Sequence, residues 1–426
     1  MRRDRAMANL AVAGGKPVRT KPFARWPEVG EAEKRAVLLV LQGRNWGGYP
    51  SPNTYARVLN ERFAALQGAE HGVATSSGTA ALEIALRAGG LRPGDEVIVP
   101  AYTWVGTASA VLCAGGIPVF VDSDPATYCI DPKAVEAAIT PRTRALIPVH
   151  LAMQMADMDA LTAVALRHKL VVVEDCAHAH GARWKGRGAG SIGQFGAFSM
   201  QTSKLLTSGE GGMILTANPE LEERCHVLIN CGRPSPTDRY KYRALGHNYR
   251  MTEFQAALLL AQLDRLREQS ARRLGNAELL ARKLDGIPGV RPMAWDPRIT
   301  EPAIYHFILR YDPEPFGGVH RDVFLEALRA EGIPAEGAFY EPVYRAPLWH
   351  FRREDFPAFS GSAVDYERVR CPVAEKAAYD ESIWLHHSLL LGGPEDVADI
   401  AGAIAKVQAN AAELAGVARP AHAARH

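Results

Sequence analysis

The chain has 426 residues, more than one simple core requires and enough for a large domain with a smaller companion. Its 49 Lys and Arg against 47 Asp and Glu leave +2, which excludes the strong positive field of a nucleic-acid binder. Although 47% of the residues are apolar, no run approaches the ~18 needed to span a bilayer, so a membrane helix is excluded as well.

The opening Met1-Arg2-Arg3-Asp4-Arg5 is basic, but Leu10 to Ala13 is too short for a signal core and Gly14-Gly15-Lys16-Pro17 ends it. Residues 1–25 therefore read as a loose N-terminal arm. A large domain is expected over 26–265, where short apolar runs alternate with helical patterns. Val97–Pro100, Val119–Asp122, Ala145–Val149 and Val171–Asp175 are β-branched and closed by Pro or a polar residue, as in strands buried on both faces of a parallel sheet. Ser109–Cys113, Pro132–Ile139 and Met158–His168 fit the helices between them. This alternation predicts an α/β doubly wound sheet with its ligand at the carboxyl ends of the strands. A long helix over Glu253–Leu284 is expected to bridge to a small domain ending near 415. There Tyr305–Tyr311 reads as a strand, with Arg321–Glu331 and Val397–Leu414 as helices. Residues 416–426 read as a disordered tail. Cys113, Cys129, Cys176, Cys225, Cys231 and Cys371 form no CxxC pair and suit a reducing cytoplasm.

Four features bear chemistry. Thr75-Ser76-Ser77-Gly78-Thr79-Ala80-Ala81-Leu82 ends a short strand (71–74) and starts a helix through Arg87, where unpaired N–H groups and the helix dipole favour an anion. The same residues also suit a plain N-cap. Asp175 ends the most apolar strand, placed to pair with a protonated ring nitrogen, or to cap a helix. After it, Ala177 is small enough to lie against a ring and His178 could reach a phenolic oxygen. A metal pair from His178 and His180 lacks a third ligand nearby. Lys204, set among Ser203, Thr207, Ser208, Gly209 and Gly211, lacks the acidic neighbours of a surface lysine and suits a Schiff base, which needs the amine deprotonated. Trp104 follows the strand ending at Pro100 and could stack on a ring or simply fill a core.

Together with Ser199-Met200-Gln201-Thr202-Ser203-Lys204 and Gly246-His247-Asn248-Tyr249-Arg250-Met251, these motifs resemble the DegT/DnrJ/StrS aminotransferases over about Trp26 to Ala409. The resemblance implies fold type I, pyridoxal 5'-phosphate, and a homodimer with active sites at the subunit boundary. It implies Lys204 as the lysine that holds the cofactor and Asp175 as the partner of the ring nitrogen. Trp104 would stack on the ring, His178 would face the phenolic oxygen, and Ser199 and Thr79 would bind phosphate. Asn248 would reach that phosphate from the other subunit. Lys204 argues against the dehydratase members, which carry His there.

His150-Leu151-Ala152-Met153-Gln154 departs from the family's pattern, with Met153 where Gly is usual, and is expected to narrow the pocket. The segment Gln201–Gly212 and the opening Gly14–Arg19 are similar to the branch that aminates scyllo-inosose or 2-deoxy-scyllo-inosose with L-glutamine. Trp384-Leu385-His386-His387 is similar to the 3-amino-5-hydroxybenzoate synthases. A keto-cyclitol or C7 ring ketone is thus expected over a nucleotide sugar, with a non-catalytic regulator and a nicotinamide enzyme as remoter readings; no GxGxxG opens the first βα unit. Arg44, Arg233, Arg250 and Arg345 are equal candidates to hold the donor carboxylate, and Asn45, Gln201, His306 and Tyr340 to meet acceptor hydroxyls.

Overall fold

Helices α1 (Glu31–Gly43) and α2 (Tyr55–Gln67) precede the first strand in this computed structural model, which describes residues 8–48, 53–234, 240–352, 355–417 and 419. Strand and helix then alternate: β1 (His71–Thr75), α3 (Gly78–Ala88), β2 (Glu96–Pro100), α4 (Val105–Cys113), β3 (Ile117–Val121), α5 (Pro132–Ala137), β4 (Thr143–Leu146), α6 (Met158–His168) and β5 (Val171–Asp175). A short ribbon, β6 (Arg183–Trp184) and β7 (Arg187–Gly188), leads to β8 (Phe195–Ser199), β9 (Gly212–Thr216) and α7 (Pro219–Ile229).

The main sheet has the order β1-β9-β8-β5-β4-β2-β3. Strands β3, β2, β4 and β5 are parallel, as the apolar runs predict, and β8 joins them in the same direction. Strand β9 runs antiparallel between β8 and β1, so the sheet is mixed. That reversal has no counterpart among the expected strands, because Gly212-Met213-Ile214-Leu215-Thr216 comes directly out of a glycine-rich turn. Strand β4 also stops at Leu146, short of the expected Val149. Beyond it only Val149 bridges to Asp175, and Pro148 has no N–H to give a ladder.

Helix starts are locally encoded. Ser77, Asp131, Asp157 and Asn218 cap α3, α5, α6 and α7 through their side chains. Helix α8 (Glu253–Leu284) opens with a reciprocal box between Thr252 and Gln255. Its fully buried Glu253 also accepts N–H bonds from Thr54, Tyr55 and Ala56 at 2.8, 2.7 and 2.9 Å. One carboxylate thus serves the first turn of α2, whose own N-cap makes no side-chain bond.

Helix α8 packs on α1 and α2 and, further along, on α11 (Pro394–Ala409). The expected domain boundary at 265–266 falls inside this one helix, and we propose that the parts 26–265 and 266–415 share it. The second part holds β10 (Val290–Pro292), β11 (Ile299–Glu301), β12 (His306–Tyr311), α9 (Arg321–Ala330), α10 (Pro372–Lys376) and β13 (Ser382–His386). Strands β10, β12 and β13 form an antiparallel sheet, while β11 pairs with β6 and ties the parts together.

Residues 8–25 are docked rather than loose. Leu10 is fully buried, Asn9 and Leu10 donate backbone N–H bonds to Glu413, and Ala11 and Val18 donate to buried Glu331. Arg19, also buried, reaches Asp396 and Asp399 at 2.7 Å each. The arm has almost no regular structure, so these carboxylates meet its backbone donors. Past the helical turn Ala411–Gly416 most of the expected tail lies outside the described residues. Among the described residues no helix is long and apolar enough to cross a membrane.

Candidate active site

A cavity of about 550 Å³ opens at the carboxyl ends of β5 and β8, where an open α/β sheet presents its ligands. Ser77, Gly78, Thr79, Trp104, Asp175, Ala177, His178, Ser199 and Lys204, spread over 128 positions of sequence from Ser77 to Lys204, all line it. Asn248 does not. It is exposed and paired through its backbone with Asn230.

Asp175 is buried at the end of β5. Thr107 Oγ1, on α4, donates to its Oδ2 at 2.9 Å, and the Ala177 N–H reaches Oδ1 at 3.2 Å. Burial holds the carboxyl above its usual range, with Thr107, Ala177, Lys204 and His150 all pulling it down. No helix follows, so Asp175 is not a helix cap. Beneath it His150 Nε2 donates to Glu174 at 3.0 Å, while its Nδ1 accepts from the Ala156 N–H. His150, Glu174 and Cys176 bring possible ligand atoms within 4.8 Å of one another. However, Glu174 also accepts the N–H groups of Gly190, Ile192 and Gly193, so the group is spent on holding the β5–β8 corner.

The Lys204 loop is held from several sides. Tyr305 and Ser203 share a 2.7 Å hydroxyl bond, His387 Nε2 donates to the Ser203 carbonyl at 2.9 Å, and Trp26 Nε1 donates to the Thr202 carbonyl at 2.9 Å. The Lys204 Nζ lies 4.4 Å from the Tyr305 ring centroid. Burial brings this amine down to about 8, against the opposing pull of Asp175. A lysine near neutrality can act as a nucleophile and proton carrier without a strong base beside it.

The anion cradle depends on glycine. Ser77 caps α3 by accepting from the Ala80 N–H at 3.1 Å, and a Cβ on Gly78 would come 2.7 Å from the Ser199 Cβ. A Cβ on Gly212 would approach the Ser77 carbonyl to 2.2 Å. Strand β9 and the first turn of α3 therefore meet backbone to backbone, leaving N–H groups and the Thr79 and Ser199 hydroxyls at the cavity. Trp104 precedes α4 and is 60% exposed, which a core tryptophan would not be. It lines the cavity together with Ala177, and a flat ring and a small side chain suit the faces of a heterocycle. Cradle, carboxylate, amine and flanking walls fit pyridoxal phosphate.

Several expectations need correction. His178 reaches the cavity, but its Nδ1 accepts from the Ala152 N–H at 3.1 Å and its Nε2 faces the Tyr340 hydroxyl at 3.0 Å. Its ring stacks on Tyr305 with centroids 4.0 Å apart, and burial holds it neutral. Both nitrogens are engaged within the chain. Met153 does not narrow the mouth: it is buried in the core, where its Sδ accepts from the Ile308 N–H at 3.3 Å. Arg44, Arg233, Arg250 and Arg345 are all absent from the cavity lining; Arg233 and Arg250 line a separate hollow of about 400 Å³. Of the residues suggested for acceptor hydroxyls, Gln201 and Tyr340 line the cavity, whereas Asn45 and His306 do not. The sequence reading missed Thr107, Tyr305, Glu336 and Phe339 as cavity residues. Only Thr107 left a trace, four residues after Thr103 and in the first turn of α4.

A mostly parallel mixed sheet that carries a desolvated lysine, a carboxylate and an anion cradle to one mouth defines a pyridoxal-phosphate-dependent aminotransferase of fold type I. The model of the DegT/DnrJ/EryC1/StrS aminotransferase family matches residues 27–405, and the chain belongs to that family. A relative from Streptoalloteichus tenebrarius, named as an L-glutamine:3-amino-2,3-dideoxy-scyllo-inosose aminotransferase, is 48% identical over 95% of this chain and 98% of its own. The L-glutamine:2-deoxy-scyllo-inosose aminotransferase of Micromonospora echinospora is 42% identical over 96% of this chain and all of its own. Among solved structures, 3-amino-5-hydroxybenzoic acid synthase superposes with a TM-score of 0.82 at 36% identity, covering 92% of this chain and 100% of that one.

Proposed function

We propose that this enzyme moves the amino group of L-glutamine, or of L-glutamate, onto a keto-cyclitol of the scyllo-inosose or 2-deoxy-scyllo-inosose type, in the cytoplasm and in the service of aminoglycoside-type biosynthesis. The observation that carries the reading is the charge of the cavity. Among the described residues Lys204 is the sole Lys or Arg that lines it, and Lys204 is needed for chemistry. A nucleotide sugar brings a diphosphate, which a site normally meets with several cationic donors. A polyhydroxylated ring needs only short polar contacts such as Gln201 and Tyr340. The names of the relatives point the same way.

Pyridoxal phosphate, when bound, supplies an aldehyde that captures an amine and a ring that takes up the electron pair released at the α-carbon. The chain does the rest. Ser77, Gly78, Thr79 and Ser199 would hold the phosphate, Trp104 and Ala177 would flank the ring, and Asp175 would pair with the ring nitrogen. Lys204 would anchor the group through its amine and supply a base that can hold or move a proton at Nζ. His178 positions Tyr340 and Tyr305. Among the described residues no guanidinium lines the cavity to meet the donor carboxylate, which supports a homodimer whose other subunit completes the site through Asn248 and its neighbours. Both substrates are small molecules, and nucleic acid and membrane play no part.

The test is kcat/KM for scyllo-inosose-type ketones against nucleotide-linked keto sugars, with L-glutamine as donor. The cyclitols should be preferred. A nucleotide sugar favoured by more than about tenfold, or ~1.4 kcal/mol in transition-state binding, overturns the acceptor and leaves the cofactor chemistry standing.

A further inference from the structure

The direction of a hydrogen bond is fixed wherever one partner has no proton to give, and two such relays end in the cavity. In the first, His178 Nδ1 faces the Ala152 N–H at 3.1 Å and must accept from it. The neutral ring, which burial favours, therefore carries its proton on Nε2. That proton points at the Tyr340 hydroxyl, 3.0 Å away, whose oxygen accepts it. Tyr340 keeps its own O–H to donate, and among the described residues nothing else bonds to that hydroxyl.

In the second relay, Gln201 Oε1 accepts both the N–H and the hydroxyl of Ser203, at 2.8 and 2.7 Å. The Ser203 proton is spent there, so Tyr305 donates its own proton to Ser203 across 2.7 Å. Tyr305 is left with lone pairs, and the Gln201 amide nitrogen with its two protons. The cavity thus offers donors at Tyr340 and Gln201 and an acceptor at Tyr305, a pattern imposed by bonds within the chain. Of the two donors Tyr340 is the more demanding. It is 6% exposed, whereas Gln201 is only half-buried and can turn to water. A ligand that covers Tyr340 without offering a lone pair strands a buried O–H, which is costly.

The ketone oxygen is exchanged for nitrogen during the reaction, so a contact that lasts through it must be to an oxygen the ring keeps. We propose that Tyr340 determines specificity by donating a hydrogen bond to one ring hydroxyl oxygen of the acceptor, and that His178 is the positioning residue that turns the Tyr340 proton toward the substrate. This rests on the keto-cyclitol reading above and adds to it the direction of the contact.

The experiment measures kcat/KM, with L-glutamine as donor, for an all-hydroxyl keto-cyclitol and its monodeoxy and monofluoro analogues in wild type, Tyr340→Phe and His178→Phe. Fluorine accepts a hydrogen bond weakly and cannot donate one. In wild type one deoxy analogue should lose about tenfold or more, mostly in KM, and fluorine at that carbon should recover about threefold or more. Tyr340→Phe should shrink this one penalty to within about twofold and leave those at other carbons as they were. The comparison with wild type cancels any effect of the substituent on the ketone itself. His178→Phe should shrink the penalty at the same carbon, which a general loosening of the site would not do. The wild-type comparison of fluorine with hydrogen decides the contact even if neither variant folds. A penalty unmoved by Tyr340→Phe, or fluorine no better than hydrogen at every carbon, overturns the contact while the acceptor class stands. A full penalty in His178→Phe overturns the positioning role. If no cyclitol reacts although L-glutamine still bleaches the cofactor absorbance, the keto-cyclitol reading itself fails and the contact falls with it.

Discussion

Thr107 Oγ1 donates to Asp175 Oδ2 across the 2.9 Å gap between α4 and the end of β5, and Thr103 lies 3.0 Å behind it, hydroxyl to hydroxyl. With Thr107 donating forward, Thr103 must supply the proton between the two, so the pair points donors at the carboxylate. The effect is to favour the charged form of Asp175 against the burial that raises its pKa. Asp175→Asn should slow the donor half-reaction by orders of magnitude without unfolding the protein. Thr107→Val should cost about ten- to a hundredfold, the equivalent of ~1.5–3 kcal/mol for a hydrogen bond to a charged group. Single-turnover rates with L-glutamine measure both, and an Asp175→Asn variant within a few-fold of wild type would remove Asp175 from the chemistry.

Lys204→Ala should still bind cofactor but lack the absorbance of the lysine-linked form, and it should not turn over. Normal turnover without added amine contradicts the assignment of Lys204.

The pH dependence of cofactor capture follows from the same residue. Burial lowers the Lys204 amine to about 8, so the neutral, nucleophilic form is scarce at pH 6 and predominates above 8. Capture by cofactor-free enzyme should accelerate with pH and level off just above 8. A rate still climbing in proportion to hydroxide at pH 10 would mean that the lysine titrates like one in water.

A shared site predicts complementation. Lys204→Ala mixed with a severely impaired Asn248 variant should regain part of the activity, because each hybrid dimer gathers both lesions in one site and leaves the other intact. Verified hybrids that gain nothing would confine Asn248 to its own chain or to no role.

Glu253 tests the fold apart from the chemistry. Its carboxylate accepts three N–H groups at the start of α2 and is fully buried. Glu253→Gln turns an amide NH2 toward those donors and removes the charge, at a cost of about 2–4 kcal/mol. Denaturant unfolding of the purified enzyme measures it, and a loss under half a kcal/mol would show that solvent reaches α2 instead.

What the sequence determined by itself was local. Asp157 capping α6 and the Thr252–Gln255 box opening α8 are contacts within a few residues, and both helices lie where their patterns predict them. The parallel strands were legible because burial on both faces leaves unbroken apolar runs. Lys204, Asp175 and the Ser77–Thr79 turn stood out because each lacks the surroundings of an ordinary surface residue. Packing between distant segments decided the rest. Met153 looked like a cavity residue beside His150, yet its side chain turns into the core toward Ile308. No local pattern records that strand β12 arrives there. Tyr305, Phe339 and Glu336 reach the cavity because the small sheet packs against the Lys204 loop, a contact spanning over a hundred residues of chain. Side-chain period and capping energies act over one turn or one strand, so they fix which elements form. Which faces meet, and therefore which charges surround the substrate, is set by long-range burial that appears only once the chain has closed on itself.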